Sequence, residues 1–162
     1  MVLPCDRAIM FEVRDTTDEE VKFLQEISCD KIVLELGTFQ GGTTRKLAET
    51  AIYVHTVDKD EYELFTKPPE NVIKYINTTK ELIWNTSINV LFIDAGHKKE
   101  EVIADFEKYS PYVIMGGFVL FHDYFKEEGV TLAIKELRNT GKFANYEERK
   151  VVGDILCLKK IK

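Results

Sequence analysis

Cysteine is scarce in this chain and shows no pairing pattern. The three residues, Cys5, Cys29 and Cys157, are odd in number, far apart in sequence and free of any C-x-x-C arrangement. That usage excludes a disulfide scaffold and a cysteine-rich zinc site, and it fits reduced thiols in a cytoplasm. We therefore expect a cytoplasmic protein whose cysteines fill core positions.

Long hydrophobic runs are absent as well. No apolar stretch reaches the roughly 18 residues that a membrane-spanning helix needs. Residues 1–10 also lack a basic start followed by an apolar run. The sequence therefore predicts no membrane segment and no signal peptide.

Positive charge is in deficit. Twenty-two basic residues face 28 acidic ones, which gives a net charge of -6, and no basic cluster is interleaved with aromatic residues. Electrostatic capture of nucleic acid is not expected from such a chain. A small-molecule or protein substrate fits better. The sequence does not define the oligomeric state, and a homodimer is among the states it allows.

What is present is a strand that ends in a glycine loop. Residues Ile32–Leu36 form a nearly continuous apolar run, typical of a strand buried on both faces of a parallel sheet. Gly37, Gly41 and Gly42 then allow a tight turn into a helix over residues 43–50. A strand, a glycine loop and a helix start together form a ligand-binding corner.

The glycine spacing decides between ligands. A dinucleotide site has G-x-G-x-x-G, whereas this chain has E-x-G-T-F-Q-G-G. The pattern resembles the first motif of class I S-adenosylmethionine-dependent methyltransferases, an acid followed by G-x-x-x-G-G. The resemblance implies that Glu35, Gly37, Thr38, Gly41 and Gly42 contact the cofactor, with the acid helping to hold the cationic sulfonium. A plain strand-to-helix turn of any α/β protein is the alternative.

Asp58 ends the next predicted strand, residues 52–57, and follows Gly37 by about 20 residues. In Rossmann-like sites an acid at this place accepts hydrogen bonds from both ribose hydroxyls. The alternative is that Asp58 caps the turn that follows. The glycine motif favours ribose binding.

Residues around the third predicted strand, residues 72–76, offer weaker candidates. Thr78 and Thr79 stand where related methyltransferases have an acid or a serine that contacts adenine, although the threonines themselves favour the alternative of a helix cap. Trp84 is a candidate for stacking on adenine, with a core position as the alternative. His55, in the middle of a strand, is expected to have no chemical role.

Two further strands each end in an acid beside a histidine. Residues 88–93 lead into Asp94 and His97, and residues 118–121 lead into His122 and Asp123 after a turn at Gly116–Gly117. Because the carboxyl ends of parallel strands share one edge of a sheet, these four side chains should lie near Gly37 and Asp58.

Here the resemblance becomes specific. The run F-I-D-A-G-H, a following Asp105, and the run Y-V-I-M-G-G-F-V-L-F-H-D resemble the family of macrocin O-methyltransferase and cephalosporin-hydroxylase-like proteins. The glycine pair before the last strand of this run is shared with class I methyltransferases generally, and Met115 stands where those usually have a proline. The resemblance, which spans residues 32–137, implies methyl transfer to an oxygen of a small molecule or sugar. It implies catalytic roles for Asp94, His97 and His122, and it adds Asp94 to the cofactor contacts.

The resemblance also implies a Mg²⁺ or other divalent ion held by Asp94, His122 and Asp123, with the histidine being less suited to magnesium than the two acids. Metal-free catalysis, with His97 as a helix cap, is the alternative.

The whole pattern predicts one α/β domain over residues 1–162, a Rossmann-like three-layer α/β/α sandwich with a seven-stranded, mostly parallel sheet. Residues 1–16 would form a flap, residues 17–30 a leading helix with a capping box at Thr17, and residues 31–162 the core. Amphipathic helices are expected over residues 98–109 and near 130–137. Strand-like residues 146–152 and 155–161 predict a C-terminal antiparallel hairpin.

Two other functions fit the same fold. One is a Rossmann-like enzyme that binds a nucleotide or NAD, which the absent G-x-G-x-x-G disfavours. The other is a catalytically silent, methyltransferase-like binding module. Cofactor binding and a methylated product distinguish these from the methyltransferase.

Overall fold

The computed structural model describes residues 14–162. Four α-helices and seven strands follow one another in that part of the chain. The helices are α1 (Asp18–Ser28), α2 (Gly42–Ala48), α3 (Lys99–Tyr109) and α4 (Glu128–Asn139), with short 3₁₀ turns at Glu63–Phe65 and Ser110–Tyr112. The strands are β1 (Ile32–Leu36), β2 (Tyr53–Asp58), β3 (Val72–Ile76), β4 (Ile88–Ile93), β5 (Val113–Phe121), β6 (Tyr146–Val152) and β7 (Ile155–Lys160).

The seven strands form one sheet in the order β3-β2-β1-β4-β5-β7-β6. Strands β1 to β5 pair in parallel, whereas β7 pairs antiparallel with both β5 and β6. This confirms the predicted Rossmann-like fold with a C-terminal antiparallel hairpin at one edge. The order reverses direction at β1 and β4, the switch point at which open α/β sheets bind ligands.

Helices cover both faces of the sheet because its central strands are apolar on both sides. Leu34 and Leu91 pack in a cluster with α3 and α4, while Val33 and Val90 pack with α1 and α2 on the other face. All four side chains are fully buried. The carboxyl ends of these strands are thereby fixed relative to one another.

The leading helix begins with the predicted capping box. The Thr17 hydroxyl accepts a hydrogen bond from the Glu20 amide, and the Glu20 carboxylate accepts one from the Thr17 amide at 2.7 Å. Val21 and Leu24 are buried, as their helical spacing indicated, and Leu24 packs in the cluster that contains Val33 and Val90. The same Glu20 carboxylate also accepts from the Asp154 amide at 2.7 Å, which ties α1 to the hairpin.

The prediction for the start of β5 was wrong. The strand begins at Val113, so the glycine pair lies inside it and not in a turn before it. Between the pairs Ile88 with Val113 and Val90 with Phe118, β5 carries extra residues that bulge from the ladder. Gly116 takes a φ of +80° in this bulge, a conformation that glycine adopts readily.

The prediction that all cysteines fill the core was partly wrong. Cys157 is buried in β7, but Cys29 is exposed at the end of α1. Cys5 and most of the predicted flap lie outside the described residues. Within residues 14–162 no helix combines the length and apolar composition needed to cross a membrane.

Glu35 is a charged residue type in the middle of this core. Only 1% of its surface is exposed. Its Oε2 accepts hydrogen bonds from the hydroxyls of Thr44 at 2.5 Å and Thr56 at 2.6 Å, so one carboxyl group joins β1, α2 and β2. Burial raises the pKa of Glu35 to about 8 against the opposing effect of these two hydrogen bonds. The side chain is therefore neutral at pH 7.

We predict that Glu35→Gln removes part of the pH dependence of stability. A carboxyl group whose pKa is raised in the folded state from 4.5 to about 8 makes the folded protein bind more protons than the unfolded chain over that range. Its contribution to the free energy of unfolding is therefore full below pH 4.5 and falls as the pH rises, by up to about 1.4 kcal/mol per unit. Chemical denaturation at pH 5, 6, 7 and 8 measures this slope.

The glutamine variant keeps an oxygen acceptor for the two threonines and should show a smaller fall in stability between pH 5 and 8. Glu70→Gln, at an exposed position, is the matched control and should keep the wild-type slope. Parallel curves for wild type and Glu35→Gln would contradict the prediction.

Candidate active site

A cavity of about 530 Å³ opens at the carboxyl ends of the parallel strands. Its walls come from the loops after β1, β2, β3, β4 and β5 and from the residues just before α1. Nine of the residues predicted from sequence line it: Gly37, Thr38, Gly42, Asp58, Thr78, Thr79, Asp94, His97 and Asp123. Three others do not, namely Glu35, Gly41 and His122.

Gly37 allows the loops after β1 and β4 to approach closely. Its φ is +99°, and a Cβ atom there would lie 2.1 Å from the carbonyl oxygen of Asp94. Its amide donates to the Val57 carbonyl at 2.8 Å, and the Asp94 amide donates to the Leu36 carbonyl at 2.8 Å. Any larger residue at this position would force the two loops apart.

The Asp58 carboxylate organises the glycine loop from the neighbouring strand. Its Oδ2 accepts from the amides of Thr38 at 3.0 Å and Phe39 at 2.9 Å. Its Oδ1 accepts from the Asp60 amide at 3.1 Å, so the predicted cap of the following turn is present. Each carboxylate oxygen has two lone-pair sites, so Oδ1 retains one for a ligand.

Glu35 lies beneath this loop and not in it. Because the side chain is buried and neutral at pH 7, it does not supply the negative charge that the sequence interpretation gave it. Its contribution is the hydrogen-bonded connection to Thr44 and Thr56, which extends to the wall of the cavity through the Thr38 hydroxyl, 2.6 Å from that of Thr56. Gly41 acts similarly from below, since a Cβ there would overlap the buried Phe65 ring at 2.0 Å.

The residues just before α1 contribute a wall that the sequence did not specify. Arg14 and Asp15 line the cavity, and the Thr16 hydroxyl lies 3.0 Å from that of Thr43 at the start of α2. This part of the predicted flap therefore packs against the site. Thr43 itself lines the cavity and was missed, although it follows directly on the glycine motif.

Thr78 and Thr79 take different roles after β3. The Thr78 hydroxyl accepts from the Glu81 amide at 3.1 Å and donates to the Glu81 carboxylate at 3.0 Å, so it caps a turn. Thr79 hydrogen-bonds through its side chain to Asp105 of α3. Trp84 does not line the cavity. It is buried and packs edge-on against His55, with the ring centroids 5.0 Å apart.

Three ionisable side chains meet at the β4 and β5 side of the cavity. Asp94, His97 and Asp123 each offer a donor atom, and these atoms all lie within 4.8 Å of one another. His97 Nε2 is 3.2 Å from Asp123 Oδ2, and 42% of the His97 side chain is exposed. Burial raises the pKa of Asp94, while the adjacent His122 opposes the shift.

His122 lies behind this group. Its side chain is only 2% exposed, with Nδ1 2.9 Å from Asp94 Oδ1 and 3.5 Å from Asp123 Oδ2. Nε2 faces Glu20 Oε2 at 3.8 Å. Burial alone would lower the pKa of His122, but hydrogen bonds to Asp123 and Asp94 outweigh it and raise the pKa to about 10. At neutral pH the ring is a fixed cation between carboxylates.

The geometry changes which histidine fits a metal. Within residues 14–162 the group that could hold an ion contains His97 in place of the predicted His122, because Nδ1 of the latter is occupied by Asp94 and Nε2 faces Glu20. Asp123 Oδ1 is buried and has no hydrogen bond within the described residues; Lys126 Nζ lies 3.5 Å away. Two carboxylates and one imidazole are a reasonable ligand set for a divalent cation.

A curated viral protein resembles part of the chain in sequence. The chain is 28% identical to the uncharacterized protein R132 of Acanthamoeba polyphaga mimivirus, over 59% of this chain and 52% of the viral protein. It thus spans about half the length of the curated relative it matches.

Solved structures share the fold at low sequence identity. SMU.1697c of Streptococcus mutans, solved in complex with SAH, superposes with a TM-score of 0.71 at 12% identity, covering 92% of this chain and 99% of that one. An rRNA methylase from Streptococcus thermophilus gives 0.68 at 17% identity over 88% and 95%. The O-methyltransferase NovP gives 0.66 at 16% identity over 89% and 80%.

The family comparison covers the segment that carries the site. Residues 34–124, more than half of the chain, match the family described as Methyltransferase domain. The matched segment runs from β1 through the His122 and Asp123 pair and includes the glycine loop, Asp58 and Asp94. The chain therefore belongs to this methyltransferase-domain family.

Proposed function

We propose that the protein is an S-adenosylmethionine-dependent methyltransferase that methylates an oxygen of a small molecule or sugar. The observation that carries the proposal is one cavity with Asp58 at the β2 end and the Asp94, His97 and Asp123 group at the β4 and β5 end. The first end suits a ribose and the second suits a hydroxyl that must lose a proton.

The cavity has the size and chemistry for this cofactor. A volume of about 530 Å³ lies within the usual range for small-molecule sites. Asp58 Oδ1 offers a free lone pair to the ribose hydroxyls, and Gly37 and Gly42 allow close contact along the glycine loop. The bound SAH of SMU.1697c and the name of NovP support the cofactor and the oxygen acceptor, respectively.

The reaction is an in-line displacement. The acceptor oxygen forms a bond to the methyl carbon while the carbon–sulfur bond breaks, and its electron pair stays on sulfur. The proton of the acceptor hydroxyl passes to Asp94, whose carboxylate lines the cavity with 18% of its side chain exposed. Because charge diminishes in the transition state, alignment of the two reactants provides most of the acceleration.

His122 is a positioning residue in this scheme and not the base. Its ring does not line the cavity, and Nδ1 holds Asp94 at 2.9 Å. Glu20, held in place by the amides of Thr17 and Asp154, faces the other nitrogen. His122 and Glu20 together orient the Asp94 carboxylate toward the acceptor. His97, partly exposed and adjacent to Asp123, is the second group that contacts the acceptor.

A divalent cation fits the same end of the cavity. We propose that Asp94, Asp123 and His97 would hold it. When bound, such an ion lowers the pKa of an acceptor hydroxyl and orients it. The imidazole ligand favours manganese, iron or zinc over magnesium.

A small acceptor is favoured over RNA by charge. The net charge of -6 and the acids around the cavity repel a polyanion. The rRNA methylase among the structural neighbours makes RNA the alternative that an acceptor panel tests.

We predict that the purified protein binds S-adenosylmethionine and S-adenosylhomocysteine but not NAD in calorimetric titration. Asp58→Ala should weaken binding of both by at least about tenfold, because it removes hydrogen bonds to ribose and to the glycine loop. Asp60→Ala keeps the amide that contacts Asp58 and is the control. Binding of NAD alone, or an unchanged affinity in Asp58→Ala, would contradict the assignment.

We predict that Asp94→Asn separates catalysis from cofactor binding. Loss of the proton acceptor should lower kcat by about 10²-fold or more, while affinity for S-adenosylhomocysteine changes less than about fivefold. Transfer of labelled methyl to the best acceptor from a panel of sugars, phenols and RNA measures kcat. Wild-type turnover by Asp94→Asn would exclude this residue as the base.

We predict that His97→Ala distinguishes metal-assisted from metal-free transfer. If Asp94, His97 and Asp123 hold an ion, chelation lowers wild-type activity, added manganese restores it, and the variant needs a higher manganese concentration for the same activity. Lys98→Ala, at the adjacent exposed position, should behave as wild type. Full activity after exhaustive chelation would overturn the metal site.

A further inference from the structure

Asp105 combines burial, an unsatisfied oxygen and a place in the cavity wall. It lies on α3, is 4% exposed and lines the cavity. Its Oδ2 is buried with no hydrogen-bond partner within residues 14–162. Buried polar atoms are nearly always paired, so an unpaired carboxylate oxygen beside a ligand cavity indicates a missing donor.

The surroundings of Asp105 hold it in place without supplying that donor. Thr79 hydrogen-bonds to its carboxylate. The Tyr109 hydroxyl and the Lys108 ammonium both donate to the Thr79 carbonyl, at 2.5 Å and 2.7 Å. Lys108 also donates to the Lys80 carbonyl at 2.6 Å. The loop after β3 and helix α3 therefore form one hydrogen-bonded wall.

This wall adjoins the proposed ribose contact. Strand β3 pairs with β2, and the Asn77 amide donates to the Asp58 carbonyl at 2.8 Å, so the loop after β3 is fixed beside Asp58. Thr79 of that loop and Asp105 both line the cavity. With the ribose at Asp58 and the transferred methyl group at the Asp94, His97 and Asp123 end, the base lies against the wall formed by Thr79 and Asp105.

We infer that Asp105 accepts a hydrogen bond from the 6-amino group of adenine and makes the cavity selective for adenine nucleosides. The inference rests on the proposed function and assigns one specificity determinant within that site. A small rotation about the Cβ–Cγ bond, which is soft in aspartate, would bring Oδ2 to the cavity surface.

The Asp105 carboxylate selects for a base with a 6-amino group over a base with a 6-oxo group. An ionised carboxylate only accepts hydrogen bonds, and an amino group donates two. Burial raises the pKa of Asp105 to about 6, so the carboxylate form prevails at pH 7.5. A 6-oxo base would set an oxygen against an oxygen, and a site built for a donor rejects such an analogue strongly.

The test is calorimetric titration at pH 7.5 with S-adenosylhomocysteine and S-inosylhomocysteine, which has a 6-oxo group. Wild type should prefer the adenosyl ligand by at least about tenfold. Asp105→Asn should reduce this preference to within about threefold, because an amide can face either base with its oxygen or its nitrogen. Glu100→Gln, at an exposed position of the same helix, should keep the wild-type ratio.

A third ligand, 5′-methylthioadenosine, has the adenine but lacks the amino-acid group. Asp105→Ala should weaken it and S-adenosylhomocysteine alike, by about 10- to 100-fold. Weakening of S-adenosylhomocysteine alone would overturn the inference and assign Asp105 to the ammonium group of the amino acid. An unchanged preference in Asp105→Asn would also overturn it. Thermal melting of the free variants verifies that both are folded.

The two proposals fail in different ways. If wild type binds neither S-adenosylhomocysteine nor S-adenosylmethionine, the proposed function fails and the inference falls with it. If wild type binds both and Asp105→Asn discriminates as wild type does, only the inference fails.

Discussion

The close approach of two loops at Gly37 determines the geometry of the site. With the Asp94 carbonyl where a Cβ would be, the end of β1 and the end of β4 are in van der Waals contact. This contact fixes the distance between the glycine loop and Asp94, the first acid of the proposed catalytic group. Asp58 then fixes the loop from the other side through two backbone amides. The cavity is therefore largely preformed by backbone contacts, which lowers the cost of ordering a ligand.

The buried charges at the β4 and β5 end of the cavity are arranged around the His122 ring. One buried imidazolium lies between the carboxylates of Asp94 and Asp123, with Glu20 behind it. Three acids so close together would repel each other if left alone, and one of them would take up a proton. The cation keeps Asp123 ionised and its pKa low. It also links the β4 and β5 end of the cavity to α1 and the hairpin, since Glu20 is held by the Asp154 amide.

The fold could be predicted from the sequence because each element carried a local signal. The capping box at Thr17, the apolar strands and the closely spaced strand-like residues 146–152 and 155–161 all specify structure within a few residues. The start of β5 was missed because its glycine pair is equally compatible with a turn and a bulge. Only pairing with β4, a tertiary contact, selects the bulge.

The sequence predicted the site residues that lie at the ends of strands. It did not predict the features of the site that depend on side-chain packing. Asp58, Asp94 and Asp123 lie at or just after the carboxyl ends of parallel strands, so topology alone brings them together. The sequence could not show that His122 points into the interior while His97 points toward the cavity. These orientations depend on tertiary contacts, such as the one between His122 and Glu20 of α1. Nor could it separate Glu35, which is buried under the loop, from the residues that line it. Side chains alternate between the two faces of a strand, and this alternation places Glu35 under the loop.

Asp105 is a further residue whose surroundings could not be predicted from the sequence. Asp105 follows the F-I-D-A-G-H run in the sequence, but a sequence contains no record of an unpaired oxygen. Its position on the inner face of α3, one turn after Glu101, turns the acid toward the loop after β3. A residue that served only to hold Thr79 would need one acceptor oxygen and would gain nothing from a second that is buried and unpaired. Since that unpaired oxygen costs stability in the free protein, its retention is best explained by a ligand that supplies the missing donor.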